Sequence, residues 1–363
     1  MSFAAFFSLY TRNMTTSFST LPVVDVSPLK QPHPSRRDVE RLSRQLYDVF
    51  ATTGFAYLVG LPFSFDHDEI FDVTKEFFAI PLADKMRLAK HSFKHRNENT
   101  YRGYFPIQPH LASDNLKEGF EIGNPSIDHP SSSSDTRNSL KINLSEPNIW
   151  PSKVAFTAQA RLEEMYVELQ MFASKLLSLL AISLGKKADF FSSWLENSLS
   201  TLRLLHYPPV PRGPRSVSEQ TEVKLSCTPH TDSGILTLLH QDATGGLEVL
   251  NASGDWIPAP YIPGSIVVNI GDLMAKVSGG RFTATMHRVR APPPRPQQSG
   301  DLEQNFGRFS IPFFFEPGED CVVTPIDGEG ESVVYGEHVR KKMATWVEFQ
   351  EDSGYDTGST EDS

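Results

Sequence analysis

Hydrophobic and polar positions follow two different spacings along this chain, and the change comes near residue 200. Before that point, apolar residues recur every three or four positions, which is the spacing of one helix face. After it, apolar runs of five to seven residues are separated by Gly, Pro, Asn and Asp, which is typical of short strands and turns. The pattern predicts a helical N-terminal half and a strand-rich C-terminal half, and therefore the α+β class.

The first half contains clear signals for helix starts and ends. Ser35 followed by Asp38 is an N-terminal capping pattern, and Gly54 ends the helical spacing that follows it. A second helix ends before Pro81, and a long amphipathic helix ends at Gly185. The predicted helices cover about 36–53, 68–79, 82–89, 152–184 and 188–197, with strands at 21–26 and 55–59.

Eight short strands are predicted in the second half. Eight antiparallel strands of this length favour a double-sheet jelly roll. We therefore expect one catalytic unit, in which a helical N-terminal region packs around a jelly-roll core. The strands cover about 201–207, 223–229, 234–240, 246–250, 255–258, 265–270, 286–291 and 307–315.

Four parts are expected along the chain. The N-terminal segment is apolar but too short to span a bilayer, and it lacks a basic start, so we interpret it as disordered. A targeting segment, or a true start at Met14, are the alternatives. Ser, Asn and Pro in 125–147 predict a flexible insertion. The parts are a disordered leader (1–20), the helical region (21–200), the jelly-roll domain (201–349) and an acidic disordered tail (350–363).

Composition narrows the range of partners and locations. The net charge is −10, from 34 basic and 44 acidic residues, and no basic run occurs, so nucleic acid is not an expected partner. The two cysteines, Cys227 and Cys321, cannot build a disulfide framework or a zinc site. Few cysteines and no secretory pattern favour a reducing, cytoplasmic location. We also expect a monomer that does not associate with membranes.

Three pairs of a histidine and an acid two residues apart carry possible metal chemistry, since side chains at i and i+2 of an extended segment point to the same side. Chance alone supplies about one such pair in a chain of this composition, so the spacing is weak evidence by itself. His67/Glu69 is interpreted as the start of a predicted helix, where acids are favoured in the first turn. His240/Asp242, which ends a strand before a turn, is expected to be solvated. The pair His230/Asp232 precedes an apolar run and is the one expected to bind metal.

His287 is the proposed third ligand. Two imidazoles and one carboxylate on one side of an ion, with the other positions open, are typical of non-heme Fe(II) oxygenases. Cys227, three residues before His230, is expected to be a small buried strand residue rather than a ligand. Iron binding is therefore predicted to depend on His230, Asp232 and His287 together.

The order of these motifs resembles the iron- and 2-oxoglutarate-dependent dioxygenase family of the isopenicillin N synthase type, especially its fungal, thymine 7-hydroxylase-like members. The separation of His230 and His287 suits that family, and the resemblance runs from about 21 to about 349. It implies a jelly roll, Fe(II), 2-oxoglutarate and dioxygen as co-substrates, and ascorbate as reductant. It rests on His230-Thr231-Asp232, His287, Arg308-Phe309-Ser310 and segments at 22–25, 77–81, 101–104, 117–121, 202–209, 245–249 and 267–272.

Arg308 and Ser310 form the second specific signal. They are two residues apart in a β-rich run, so both should face the barrel interior, and a guanidinium beside a hydroxyl is suited to holding a carboxylate. The apolar residues around Arg308 favour a buried position that requires a partner over a surface strand position. The resemblance implies that this pair binds the distal carboxylate of 2-oxoglutarate and that Tyr207 donates a further hydrogen bond to it.

Two departures from the family pattern occur. The gap of 21 residues between His287 and Arg308 is longer than usual, and we interpret its Pro-rich part as a surface loop. Many plant members carry Asn where this chain has Leu205, so one contact to the co-substrate is in doubt. His206 alternates away from Tyr207 and is predicted to be a core histidine.

Aromatic residues provide the prediction for the substrate. The segment 91–122 is a candidate lid that carries Tyr101, Tyr104 and Phe105, although an ordinary surface loop is an equal alternative. Phe313 and Phe315 reach the same side as Arg308 only if a bulge occurs near Pro312. An aromatic cleft with few charges favours a neutral small molecule, such as a heterocycle or a secondary metabolite, as substrate.

Three functions remain open from the sequence. The leading one is oxidation, by default hydroxylation, of a small molecule coupled to conversion of 2-oxoglutarate to succinate and carbon dioxide. The first alternative is an oxidase with the same iron ligands that uses no 2-oxoglutarate. The second is a catalytically inactive jelly-roll binding protein, against which the intact ligand set argues.

Overall fold

A computed structural model describes residues 16–108, 116–126, 142–208, 224–291 and 307–343, and the structural statements below concern these residues. The acidic tail and most of the predicted leader, insertion and Pro-rich loop lie outside them. The helices are α1 (Arg36–Thr52), α2 (His67–Ala79), α3 (Leu82–Lys85), α4 (Gln159–Ser183), α5 (Asp272–Val277) and α6 (Tyr335–Met343).

Two facing sheets form the core of the jelly roll. The major sheet has the order β1-β2-β10-β7-β12-β5-β4-β3, and the minor sheet has the order β6-β11-β8-β9. A small β13·β14 pair lies apart from both. The strands are β1 (Val23–Asp25), β2 (Phe55–Val59), β3 (Gly103–Phe105), β4 (Glu118–Ile122), β5 (Thr201–Tyr207), β6 (Leu225–His230), β7 (Leu236–Gln241), β8 (Leu247–Leu250), β9 (Trp256–Pro258), β10 (Ser265–Ile270), β11 (His287–Arg290), β12 (Arg308–Phe315), β13 (Val322–Val323) and β14 (Val333–Val334).

The front face of the major sheet, which we define as the face that carries Arg308 and Ser310, packs on the minor sheet. Phe55 and Val267 of the major sheet share an apolar cluster with Val249 of the minor sheet. The rear face packs on helices: the ring of Phe313 lies 5.2 Å from that of Tyr166 on α4. Side chains alternate between the two faces along each strand, so register decides which residues reach the interior.

All eight strands predicted in the second half are present, with ends that differ by no more than two residues. The N-terminal half also contributes four strands to the major sheet, since β2 pairs with β10 and β4 pairs with β5. The prediction that 91–122 is a lid is therefore wrong for β3 and β4, because both are buried strands at one edge of the major sheet. The sequence analysis did not predict β3, β4, α5, α6 or the β13·β14 pair.

The long helix α4 lies across the rear face and begins at Gln159, seven residues later than predicted. Glu76 of α2 accepts hydrogen bonds from the backbone and the hydroxyl of Thr157, and this contact holds the preceding segment in turns. Within the described chain, α4 alone has the length and apolar composition of a membrane span. Its apolar residues are largely buried against α1 and the major sheet, which is also how the core helix of a globular domain packs.

Candidate active site

The three predicted metal ligands come together because of strand register. His230 ends β6, His287 begins β11, and the two residues are paired directly across these antiparallel strands. Asp232 lies in the turn that leads from β6 to β7, and its carbonyl accepts a hydrogen bond of 2.8 Å from the backbone N–H of Asp272. The chain thus brings residues 57 positions apart to one rung of the minor sheet.

The ligand atoms have the separations that one small ion requires. One atom from each residue lies within 4.8 Å of the other two. Asp232 Oδ1 lies 3.8 Å from His230 Nε2 and 3.7 Å from His287 Nε2. Bonds of about 2 Å from each atom can therefore meet at one point. Asp232 and His287 are buried, whereas the side chain of His230 is 39% exposed, so the cluster opens beside His230.

Hydrogen bonds on the far side of each ligand fix its orientation. Nδ1 of His230 lies 2.8 Å from the carbonyl of Thr228, and Nδ1 of His287 lies 3.2 Å from that of Thr285. Only a protonated Nδ1 can donate to a carbonyl, so in the neutral form of each ring Nε2 carries the lone pair for a metal.

Asp232 is oriented in the same way by two side chains. Its Oδ2 accepts hydrogen bonds from the Thr237 hydroxyl at 2.6 Å and from the Asn269 amide at 2.8 Å, which leaves Oδ1 for the ion. Thr237 and Asn269 are paired across β7 and β10, so the sheet itself positions both donors. Sequence reasoning missed these two residues.

The protonation states of the buried ligands suit a divalent cation. Burial lowers the pKa of His287 to about 4 and keeps its imidazole neutral. Burial opposes ionisation of Asp232, but the two histidines and its hydrogen bonds outweigh this and lower the pKa of its carboxyl. A neutral imidazole and an ionised carboxylate are the forms that bind metal.

Cys227 is partly buried and lies behind the ligand set. Its sulfur lies 3.7 Å from His230 Nδ1, the nitrogen that faces away from the cluster, and 3.5 Å from Lys117 Nζ. The thiol therefore contacts a ligand without being one.

The two other His-x-acid pairs lie away from the cluster. Glu69 on α2 forms an ion pair with Arg161. The expectation of a solvated His240 is wrong, because β7 turns this side chain to the rear face, where it is buried beside Phe63 and Phe65. Burial lowers its pKa to about 3.

Arg308, Ser310 and Tyr207 lie together on the front face. Arg308 pairs with Tyr207 across β12 and β5, and its guanidinium carbon is 4.7 Å from the centre of the tyrosine ring. Arg308 is 1% exposed and Ser310 is 2% exposed. The predicted buried setting of Arg308 is confirmed by this exposure.

The turn after β7 fixes the direction of Arg308. Its Nε donates a 2.7 Å hydrogen bond to the carbonyl of Gly245. In the same turn, Asp242 accepts a hydrogen bond from the backbone N–H of Phe309, the residue after Arg308. Asp242, the acid of the His240/Asp242 pair, therefore holds the start of β12 against this turn.

One guanidinium nitrogen of Arg308, Nη1, is buried and has no hydrogen-bond partner among the described residues. Leaving such a donor unpaired is costly, and a carboxylate is its natural partner. The residues present therefore fit both groups that the sequence predicted: an ion at the His-Asp-His cluster, and the carboxylate of a 2-oxo acid at Arg308.

Three of the predicted substrate residues point away from this site. The register of β12 against β7 is continuous from Ser310 to Phe315, so Pro312 causes no bulge. Phe313 and Phe315 therefore lie on the rear face, and the prediction that they line the pocket is wrong. Tyr104 is also on the rear, where its hydroxyl donates to Glu118.

The other two predicted residues are buried rather than part of an exposed lid. Tyr101 is 6% exposed, with the guanidinium of Arg102 4.4 Å from its ring centre. Phe105 shares the front face with Gly119, whose Cβ, if it had one, would lie 2.3 Å from the Phe105 ring. Phe105 thus remains a candidate for the pocket wall.

Sequence reasoning missed a second group on the front face. Phe314 lies on the same face of β12 as Arg308 and is only partly buried. The guanidinium carbon of Arg203 lies 5.1 Å from the Phe314 ring and 5.6 Å from the Phe105 ring, and Glu121 forms an ion pair with this arginine. Counting alternate positions along β12 and β5 could have found both Phe314 and Arg203.

Comparison with known proteins gives two family matches that together cover most of the chain. Residues 198–317 match the 2OG-Fe(II) oxygenase superfamily, and residues 21–153 match the non-haem dioxygenase in morphine synthesis N-terminal family. The 2-oxoglutarate-Fe(II) type oxidoreductase hxnY of Emericella nidulans is 32% identical over 83% of this chain and 80% of its own length. The homoarginine-6-hydroxylase 2-ODD-233 of Oryza sativa subsp. japonica is 30% identical over 92% and 99%.

Solved structures share the fold. A full-length Neurospora crassa protein, solved in complex with alpha-KG and 5-formyluracil, is 25% identical, covers 92% of this chain and 99% of its own, and superposes with a TM-score of 0.72. A putative 2OG-Fe(II) oxygenase family protein from Caulobacter crescentus is 27% identical, covers 91% and 100%, and has a TM-score of 0.69.

Proposed function

Because the chain belongs to the 2OG-Fe(II) oxygenase superfamily, we propose that His230, Asp232 and His287 bind its Fe(II) and that Arg308, Ser310 and Tyr207 bind its 2-oxoglutarate. The enzyme is a 2-oxoglutarate-dependent dioxygenase, and hydroxylation of a small organic molecule is the proposed outcome. The observation that carries this assignment is the convergence of three oriented ligand atoms within 4.8 Å, on the same side of the major sheet as an unpaired buried guanidinium.

Fe(II) and 2-oxoglutarate, when bound, supply a dioxygen-dependent decarboxylation that yields succinate and carbon dioxide and oxidises a substrate C–H bond. The chain's own residues hold and orient these groups. Arg308 binds the distal carboxylate, Ser310 and Tyr207 offer hydroxyl groups beside it, and Thr237 keeps Oδ1 of Asp232 directed at the ion. Burial of Arg308 and Asp232 excludes water and strengthens both interactions.

The proposed substrate carries a flat apolar part and a polar group. Phe314 and Phe105 supply aromatic surface on the front face, and the Arg203–Glu121 pair lies beside them. This differs from the sequence expectation of a pocket with few charges. We also propose, from composition, that the enzyme is cytoplasmic and monomeric and does not associate with membranes or nucleic acid. These properties stay predictions.

Substitution of one ligand tests the iron site. Asp232→Ala should reduce bound Fe(II) from about one ion per chain to almost none and should abolish turnover, because one of three ligands is lost. Iron content and succinate release report the two effects. Glu69→Gln, at the acid of another His-x-acid pair, is the matched control and should leave both unchanged. Full iron occupancy in Asp232→Ala would contradict the assignment.

A second experiment separates the dioxygenase from the oxidase alternative. Succinate release should require added 2-oxoglutarate and Fe(II), and ascorbate should support it. A panel of aromatic and heterocyclic small molecules should contain compounds that stimulate release. Substrate oxidation without any 2-oxoglutarate would favour the oxidase.

A further inference from the structure

A buried polar cluster lies on the rear face of the major sheet, directly behind the residues assigned to 2-oxoglutarate. The Glu118 carboxylate accepts hydrogen bonds from His206 Nδ1 at 2.7 Å, from Lys85 Nζ at 2.9 Å and from the Tyr104 hydroxyl. The side chains of Lys85, Glu118 and His206 are only 7, 10 and 16% exposed. The reaction does not use these groups, yet the fold buries them.

His206 places this cluster against one particular rung of the sheet. It pairs with Phe309 across β5 and β12, and the two rings stack with centres 4.8 Å apart and planes 18° apart. The adjacent rung on one side pairs Arg308 with Tyr207, and the next on the other side carries Ser310. The rear stack therefore lies between the co-substrate residues of the front face.

The neighbouring rung, which pairs Arg308 with Tyr207, needs support because it is at the end of both strands. β5 ends at Tyr207 and β12 begins at Arg308, and strand ends open more readily than strand centres. Gly307 enters the rung with a φ of +84°, and a Cβ there would lie 2.1 Å from the carbonyl oxygen of Tyr207. The chain thus closes tightly at the Tyr207–Arg308 rung.

We propose that His206, held by Glu118, is a positioning residue for 2-oxoglutarate: the rear hydrogen bond and ring stack fix the terminal rung that aims Arg308 and Tyr207 at the co-substrate carboxylate. The inference rests on the proposed binding of 2-oxoglutarate by Arg308. The second contact of Glu118, with Lys85 at the end of α3, ties the His206–Phe309 rung to the helical layer. Cross-strand pairs of this kind are the unit that stabilises local sheet geometry.

The hydrogen bond to His206 is of the strong, charge-assisted type. Burial would raise the pKa of Glu118, but the bond from His206 and the charge of Lys85 outweigh it, so the pKa is lowered and the carboxylate stays ionised. The cluster can then hold its geometry without a bound ligand, and pre-organises the site.

The test is binding of 2-oxoglutarate by the anaerobic, Fe(II)-loaded enzyme, measured by calorimetry. His206→Phe keeps a stacking ring and removes the donor to Glu118. We expect its Kd for 2-oxoglutarate to rise roughly three- to tenfold, the effect of losing one buried hydrogen bond. Fe(II) affinity and KM for the oxidised substrate should change less than about twofold, so the loss is confined to the co-substrate. His206→Asn, which keeps a donor, should recover part of the affinity.

Tyr166→Phe is the matched control. It also removes one buried hydrogen bond on the rear face, from the Tyr166 hydroxyl to the carbonyl of Ser200 at 2.8 Å, but far from the terminal rung. Its Kd for 2-oxoglutarate should stay within about twofold of the wild type, even if both variants lose similar stability.

Glu118→Gln keeps an acceptor for His206 but removes the negative charge that strengthens the hydrogen bond. It should raise the Kd for 2-oxoglutarate less than His206→Phe does, and the test then does not depend on one variant folding. Equal Kd values in the wild type and these variants, or equal losses in Tyr166→Phe, would overturn the positioning role alone. A wild-type enzyme that binds no 2-oxoglutarate would overturn the proposed function as well.

Discussion

The front and rear faces of β12 belong to the same eight residues but are built differently. On the front, Arg308 and Ser310 are buried polar groups, and Arg308 keeps an unpaired nitrogen. On the rear, Phe309, Ile311 and Phe313 are buried among apolar and aromatic neighbours. The front face therefore gives up local stability for a binding site, whereas the rear face supplies the packing that holds it.

The largest expected effect separates stability on the two faces. Phe313→Ala should lower the free energy of unfolding by about 3–5 kcal/mol, because it empties a fully buried site against Tyr166. Phe314→Ala, one residue further on the front face, should cost about 1 kcal/mol, since this ring is partly exposed. Urea unfolding measures both. Similar losses would remove the distinction between the faces.

The next effect concerns the charge on the front face. Arg308→Met should weaken 2-oxoglutarate binding roughly ten- to hundredfold, since a hydrogen bond to a charged group is lost, and should change KM for the oxidised substrate much less. The ligand-free protein should lose little stability, because removal of a buried cation with an unpaired nitrogen offsets loss of the hydrogen bond to Gly245.

Arg290→Met is the control for that experiment. This arginine lies on β11, is half exposed and pairs with Glu248, so its loss should leave 2-oxoglutarate binding unchanged. Equal effects of Arg308→Met on co-substrate and substrate would give Arg308 another role.

The smallest effect is a pH dependence at the end of β12. Burial raises the pKa of Glu316 to about 7, although Tyr335, Arg102 and Arg203 oppose it. The folded state then binds this proton more tightly than the unfolded state, so its stabilising contribution is present below about pH 4.5 and is lost as the pH rises to about 7. The free energy of unfolding of the wild type should therefore fall by about 2 kcal/mol between pH 5 and pH 8, and Glu316→Gln should remove this fall.

Urea unfolding of both proteins at pH 5 and pH 8 measures this slope. The same substitution at Glu319, a partly exposed residue that pairs with Arg340, controls for loss of one negative charge. A wild-type slope that survives Glu316→Gln would assign the pH dependence to another group.

Much of the fold could be predicted because periodicity is local. Strand positions in the second half, the capped helix α1 and its end at Gly54 follow from residues within a few positions of one another. The start of α4 could not be predicted, since a carboxylate of α2 at Glu76 holds Thr157 out of the helix. The strands β3 and β4 were missed because their short polar and aromatic sequences become strands only through pairing of β4 with β5 and of β3 with β4.

In the candidate site, too, some features follow from the local sequence and others from contacts between residues distant in sequence. The sequence by itself determined the identity and spacing of His230, Asp232, His287, Arg308 and Ser310, because a metal and a carboxylate require those chemical groups. Only the tertiary structure decided which aromatic residues face them: uninterrupted pairing of β12 with β7 turned Phe313 to the helices and Phe314 to the interior. The physical reason is that side chains alternate along a strand, so a shift of one residue exchanges the two faces, and the register is set by neighbouring strands distant in sequence.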